Sequence, residues 1–547
     1  MPALLANGLL KHTHNYFRLP GGFYTLTHLF ISLALMVLLR VKSIESIKSY
    51  SPGELGKLIG LDRIPEIKTI RNKLGILAEE NQSKEWSSKL SRDWMGQENN
   101  ICGLLYVDGH VRVYHGKQTK LPRRYVAREK LCLRGMSDYW LNDAWGRPFF
   151  VVTTPLNSGL LTILRNEIVP RLLKEVPHQP SEEELRKNPY KSRFSIIFDR
   201  EGYSPSFIKE LWENHRISCY TYNKFPKEDW AIEEFKEQIV TLHNGEEVKM
   251  KLAERGTFIG KQLWIREIRK LNNNGHQTSI ITTDYESEDR NLAANMFARW
   301  SQENFFKYMR ENFGIDRLLE YGLESIDETQ KVTNPEYSKL EKEIRSLSRK
   351  IFKKEAEFGT ITLHTLHLQK NNEANEANEE EQEEKEIKKY LIKKAEVSEA
   401  IEIYKEKLEV LKTKRKETQK HIALSQLPEN EKFSSLANEK KHIMDNIKMI
   451  AYRAETAMAN IIRPAISKSN EARMLIRQIF TTDIDLEPDY KNKRLYVIIH
   501  SLSNEKSNKI VRYLCHHLNL TQTTFPDTNL MLFYKMVSRQ NPACQDL

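Results

Sequence analysis

The 547-residue sequence predicts an α/β domain set between helical flanks, and three features carry that prediction. Residues 101–156 hold three runs rich in β-branched and aromatic residues, separated by turn residues. A continuous apolar run, FSIIFD at 194–199, sits between two helical patterns, as a central buried strand does. Beyond residue 330, apolar residues recur at alternating spacings of three and four, the seam of a coiled coil.

Composition narrows the setting. The chain has 85 Lys+Arg against 74 Asp+Glu, a formal charge of +11 that suits a polyanionic partner. Five cysteines (Cys102, Cys132, Cys219, Cys515, Cys544) are scattered without a C-x-x-C pair, which points to a reducing compartment and core thiols. The longest apolar run, LFISLALMVLL at 29–39, is shorter than the roughly 20 residues that span a bilayer and reads as a buried helix. It lacks the cleavage site of a signal peptide, so the expectation is a soluble cytoplasmic protein with no membrane partner.

In chain order, 1–98 reads as helical. Within it, 51–74 has Ser51 and Pro52 opening a short helix, a break at Gly60 and a second helix from Pro65. This is either a helix-turn-helix offering Lys68, Arg71, Asn72 and Lys73 to DNA, or an ordinary helical hairpin packing Leu55, Leu58, Ile64, Ile67, Ile70 and Leu74. Strands follow at 101–116, 130–143 and 147–156, then a helix from Leu160 to Lys174, the strand 194–199, a helix near 205–214 and the strand 217–222. That succession is the order of a ribonuclease-H-like α/β domain, assigned to 99–224 and 285–325. Residues 225–284 read as a β-rich insertion, with an Asn244-Gly245 hairpin signal and strands at 261–268 and 277–284. A helix from about Asn291 to Phe313 returns to the domain. Residues 330–480 read as long helices, with Leu340, Ile344, Leu347 and Ile351, then Val397, Ile401, Tyr404, Leu408 and Leu411 on the seam. Between them, the acidic stretch 371–386 reads as a solvated or disordered connection, and a third helix at 433–478 as kinked at Pro464. A small α+β unit closes the chain at 481–547.

Three acids stand at chemically telling points: Asp108 inside the first strand (YVDGH), Asp199 at the end of the central strand (FDREGYS), and Glu303 on the helix after the insertion. In such a sheet the first and central strands are neighbours and the later helix crosses their ends, so the three carboxylates converge. Hard oxygen donors of this kind suit two Mg²⁺ (or Mn²⁺) ions that act on a phosphodiester. The ordinary alternatives are a surface Glu303 paired with Lys307 at i+4, an Asp199 that caps its loop, and Asp108-Gly109 as a turn dipeptide. His110 reads as a structural hydrogen bonder. Asp284, Glu286, Glu288 and Asp289 read as a solvated loop, and are the competing source of a third acid.

At these residues the sequence resembles the DDE transposases of bacterial insertion sequences, in the branch with a β-rich insertion before the catalytic glutamate. That branch carries Y-x2-R-x3-E-x6-K; the register here is Met296, Arg299, Glu303 and Arg310, so arginine and glutamate match, lysine becomes arginine and tyrosine becomes methionine. The DGH and FDREGYS contexts extend the likeness over about 100–320. The resemblance implies a DNA transposase in which Asp108, Asp199 and Glu303 bind the two metal ions. It also implies Arg299, Lys307 and Arg310 as backbone contacts to double-stranded DNA, and a homo-oligomer on the element ends. The basic segment 117–130, with Lys117, Lys120, Arg123 and Arg124, reads equally as a DNA contact or a basic surface loop. Alternatives of different class are a repurposed metal-dependent nuclease and a catalytically retired DNA-binding scaffold.

Overall fold

The computed structural model describes the chain except residues 98–102, 117–120, 127–128, 155–158, 243–244, 261–262, 298–299, 317–322, 325–328, 330, 373–379, 429–431, 433–434, 467–468 and 538–547. The chain divides into two compact units, one of 1–117, 121–324 and 435–547, the other of 118–120 and 325–434.

The first unit begins with six helices: α1 (Pro2–Ala6), α2 (Thr13–Tyr16), α3 (Leu26–Leu38), α4 (Pro52–Lys57), α5 (Ile67–Glu79) and α6 (Ser83–Gly96). The apolar run at 29–39 is α3, whose N-terminus is closed by Thr25 and His28 capping each other. Without a charged residue, α3 is buried on nearly every side. In the 51–74 segment Ser51 caps α4 and Gly60 adopts φ +76°. The second helix starts at Ile67, two residues after Pro65, and Leu55, Ile64, Ile70 and Leu74 are buried.

Ten strands form one sheet. They are β1 (Leu104–Val113), β2 (Arg123–Val126), β3 (Leu131–Asn142), β4 (Pro148–Thr154), β5 (Ser195–Phe198), β6 (Ser218–Tyr222), β7 (Lys236–Thr241), β8 (Glu247–Ile259), β9 (Leu263–Leu271) and β10 (Gln277–Thr282). Their centre runs β4–β3–β1–β5–β6. β1 pairs in parallel with β5, and β5 with β6, while β3 is antiparallel to both β1 and β4. The insertion strands extend this sheet: β10 lies antiparallel to β6, followed by β9, β8 and β7. The β7–β8 hairpin turns where the Asn-Gly pair stands, with Gly245 at φ +83°. Between strands lie α7 (Leu160–Ile163), continued through a π turn into α8 (Val169–Glu175), then α9 (Glu182–Lys187) and α10 (Pro205–His215). After β10 come α11 (Asp289–Phe297) and α12 (Trp300–Tyr308), which ends in a π turn at 309–313.

The second unit is a helical hairpin of α13 (Pro335–Asn372) and α14 (Glu380–Glu417). Ile344, Ile351, Ile361, Val397 and Ile401 are buried along its seam, and Lys405–Glu355 (3.0 Å) and Arg415–Glu341 (2.8 Å) tie the antiparallel helices. The acidic stretch expected to be a disordered connection is helical from Glu380 onward. Glutamate propagates helix well and is favoured at a helix N-terminus. Two short ladders flank the hairpin along the chain: β11 (Leu323–Glu324) pairs β14 (Ser435–Leu436) within the first unit, and β12 (Lys331–Thr333) pairs β13 (His421–Ala423) within the second.

The largest departure concerns 433–478. It is not part of a coiled-coil region: α15 (Glu439–Ile462) returns to the first unit and packs against α1, α3, α5, α6 and β4. Its polar residues are internal. Lys441 bridges Asp445 and Asp138 (3.2 Å to the latter), and Asp138 also faces Arg112 at 3.5 Å. A heptad-like pattern with charges between looks the same whether the charges meet water or one another. The turn at Arg463–Ala465 breaks the helix at Pro464 before α16 (Ser469–Phe480). The terminal unit comprises β15 (Ile484–Asp489), β16 (Arg494–His500), α17 (Glu505–Leu520) and β17 (Met531–Val537). Here β16 is antiparallel to β15 and parallel to β17. Among the described residues no helix is long and apolar enough to cross a membrane.

Candidate active site

Two of the three acids are neighbours in the sheet. Val107 of β1 pairs with Phe198 of β5, and Asp108 and Asp199 are the next residues on these parallel strands. Asp199 keeps an extended backbone (φ −78°, ψ 170°), so it continues the strand direction and shares a face with Asp108. Neighbouring strands lie about 4.8 Å apart. Both carboxylates are half-buried. Each turns one oxygen to its own chain: Asp108 Oδ1 accepts from Gly109 N at 2.8 Å and Asp199 Oδ1 from Arg200 N at 2.7 Å. The loop after Asp199 hugs its strand because residue 202 is glycine; a Cβ there would lie 2.6 Å from the Phe198 ring.

The helices after the insertion cross the same face. Alternation along β1 puts Tyr106, Asp108 and His110 on one side. Tyr106 and Ile197 share an apolar cluster with Leu292 and Met296 of α11, and Phe306 of α12 stacks on His110 with centroids 5.4 Å apart and planes 15° apart. Phe305 meets Trp140, the partner of Asp108 across β3, at 5.4 Å. Glu303 lies on α12 one turn before Phe306 and Lys307. Its side chain, and Arg299 altogether, lie outside the described residues.

α12 is fixed from behind by buried charge. Glu455 of α15, fully buried, accepts from Arg40 at 2.6 Å and from Arg473 at 3.0 Å, and takes the Tyr308 hydroxyl proton donor as well. Burial and the Glu455 charge push the Tyr308 phenol up to about 12. His110 pairs with Asp316, just beyond the π turn. On the α15 side, burial pushes the His442 imidazole down to about 3 and the Lys448 ammonium down to about 8. Asp138 is held well below the usual carboxylate range by Lys441 and Arg112 against the opposing effect of its burial. The sequence carries a signal for this scaffold, the charges inside the apolar pattern of 439–462, but not its partners.

The remaining residues separate. Lys307 is exposed and Arg310 half-buried, and neither forms an ion pair among the described residues. Met296 is a core side chain, which accounts for an apolar residue at that point of the register. Lys117 and Lys120 lie outside the described residues, and Arg123 is exposed on β2. Arg124 corrects the expectation of a surface cation: alternation on β2 turns it inward, where it is 7 % exposed and bonded to Tyr139. Of the helix-turn-helix candidates, Lys68 is exposed, Lys73 half-buried, and Arg71 exposed but engaged by Glu45. The acidic loop is built as structure. Asp284 accepts from the backbone of Glu286 and Ser287 and from Tyr220, Glu286 from Asn188, and Asp289 from Gln238, while Glu288 pairs with Arg290. Among the described residues no three side chains of metal-ligating type gather at one point.

An α/β sheet presenting paired carboxylates under a helix with cations on its outer side is the arrangement of a protein that works on phosphodiesters. A family model described as Transposase protein matches residues 1–538, and the chain belongs to this transposase family. It is therefore a DNA-binding protein of transposition. No curated protein and no solved structure matches the chain.

Proposed function

We propose that the chain is a DDE-type transposase with a ribonuclease-H-like catalytic domain, of bacterial insertion-sequence origin, that uses Mg²⁺ or Mn²⁺. The observation that carries the reading is the register of β1 and β5, which sets Asp108 and Asp199 side by side on the face crossed by α11 and α12. The strand order β4–β3–β1–β5–β6, with β3 alone antiparallel, supports the fold assignment. The donor chemistry fits the metal: carboxylate oxygens, half-exposed, at strand ends. When bound, two such ions about 3.5–4 Å apart would activate the attacking water or 3′-hydroxyl and stabilise the leaving oxygen.

In this reading Asp108 and Asp199 hold the metals from the sheet and Glu303 closes the set from α12. Phe305 and Phe306 set the height of that helix over the strands. Arg299, Lys307 and Arg310 then grip the DNA backbone by charge, and exposed Arg123 and Lys68 widen the cationic surface. Element ends are nicked and the freed 3′-hydroxyl attacks target DNA, with two copies of the chain joining two ends.

The test is divalent-dependent cleavage and joining of labelled duplexes bearing the element ends, comparing the natural chain with Glu303→Gln and Asp199→Asn. Joined products from the natural chain and none from either variant support the proposal. Joining by Glu303→Gln would remove Glu303 from the site, and cleavage without joining would favour a repurposed nuclease.

A further inference from the structure

The C-terminal sheet has two unlike faces. Odd-numbered residues of β16 face the helix: Ile499, with Tyr534 and Met536 of β17, joins Ile510, Val511, Leu514 and Leu518 of α17 in one apolar cluster. Even-numbered residues face away. There Tyr496 pairs with Phe533 across the parallel ladder, their rings half-exposed, 5.5 Å apart and inclined by 72°. Arg494 lies 5.5 Å from the centre of the Phe533 ring, and Lys535 Nζ lies 4.8 Å from that of Tyr496. Neither cation forms an ion pair among the described residues. The β15–β16 turn at the end of this face adds Tyr490, 77 % exposed, with Lys491 and Lys493 beside it.

We infer that this face, built on Tyr496, Phe533, Arg494 and Lys535, binds single-stranded DNA by stacking unpaired bases on its aromatics and holding phosphates with its cations. Aromatic side chains on adjacent strands of a small open sheet present the flat apolar surface that bases need. The interleaved cations decide the occupant. A protein partner covering this face would have to desolvate Arg494 and Lys535, which is costly without matching acids. A DNA strand carries a phosphate for each base and meets both groups at once. A duplex does not fit, since its base faces are already stacked. The inference rests on the family's DNA substrate and is independent of the three-acid site.

The test is fluorescence anisotropy of a labelled oligo-dT, an oligo-U of equal length and a labelled duplex with the full chain. EDTA is present and the Asp108→Asn chain is run in parallel, so that loss of metal chemistry cannot alter the outcome. Tyr496→Ala and Phe533→Ala are each expected to weaken oligo-dT binding by about tenfold or more and to leave duplex binding unchanged. Tyr496→Phe and Phe533→Tyr retain it. Lys535→Gln, which leaves the rings in place, lowers the salt dependence of oligo-dT binding. Equal oligo-dT affinity in the natural chain and both alanine variants would overturn the inference, as would a marked preference for oligo-U. Should the alanine variants fail to fold, an unchanged salt dependence in Lys535→Gln overturns it as well.

Discussion

The buried cluster around Glu455 makes a quantitative prediction about what holds α12 in place. Glu455 is wholly removed from water, and Arg40, with its side chain 8 % exposed, lies 2.6 Å from it. Arg473 at 3.0 Å is 22 % exposed, so water already screens part of its charge. In Glu455→Gln the amide offers one acceptor to three donors and turns its own N–H groups toward the guanidiniums. Removing one partner of a buried ion pair costs about 3–5 kcal/mol, because a charge is left uncompensated; Arg40 accounts for most of it and Arg473 for the smaller share. That is a large part of the 5–15 kcal/mol by which domains are ordinarily stable. Urea unfolding followed by tryptophan fluorescence reads the loss, since Trp86, Trp94 and Trp140 are buried in the same unit. The triple change Glu455→Leu, Arg40→Met and Arg473→Met removes all the charge together and is expected to recover most of the stability. A loss under about 1 kcal/mol in Glu455→Gln would refute the reasoning, since a buried and uncompensated Arg40 cannot be so cheap.

Other expectations follow from the same contacts. Phe306→Ala deletes the ring stacked on His110 and is expected to destabilise by about 3–5 kcal/mol and to lower DNA cleavage, whereas Phe352→Ala, at an exposed hairpin position, leaves both unchanged in the same assays. Ile401→Asp buries a charge in the hairpin seam and should reduce the helical circular dichroism of α13 and α14 while the tryptophan unfolding transition keeps its midpoint. Burial holds the folded His442 imidazole at about 3, below its ordinary value, so its contribution is present above about pH 6.5 and is lost as pH falls toward 3. The depressed Asp138 acts in the same sense at lower pH, its contribution being present above about pH 4 and lost below. Urea midpoints at pH 7 and pH 5 should therefore differ less in His442→Asn than in the natural chain.

The strands were legible where alternation and composition agree. YVDGHVRV reads as a strand through the Asp-Gly pair because its apolar rhythm resumes at Val111, and FSIIF reads as buried because nothing interrupts it. β15 was not legible: IDLEPD has three acids and a proline, which an edge strand tolerates but which composition argues against. β2 was hidden inside a segment whose basic residues looked uniformly exposed, although its burial alternates and only Arg123 and Tyr125 face outward. The pairing of Asp108 with Asp199 could be expected from their positions near strand ends. The cluster that steadies α12 could not, because it joins Arg40, Tyr308, Glu455 and Arg473 across the length of the chain, and local periodicity carries no information about such partners.

The place of α15 has a consequence for how the chain is made. α3 emerges early, apolar on almost every side, and the helix that covers it is synthesised roughly 400 residues later, which at 5–20 residues per second is about 20–80 s. In that interval the hairpin unit is produced whole, with contacts of its own. The first unit is thus a ring of sequence closed by its last third, and its core waits for a part that arrives after an entire other unit has been made. A ribosome stalled within the hairpin would leave α3 as the most adhesive surface of the nascent protein, and interruption of translation there, rather than in the sheet, would be the more damaging to the cell.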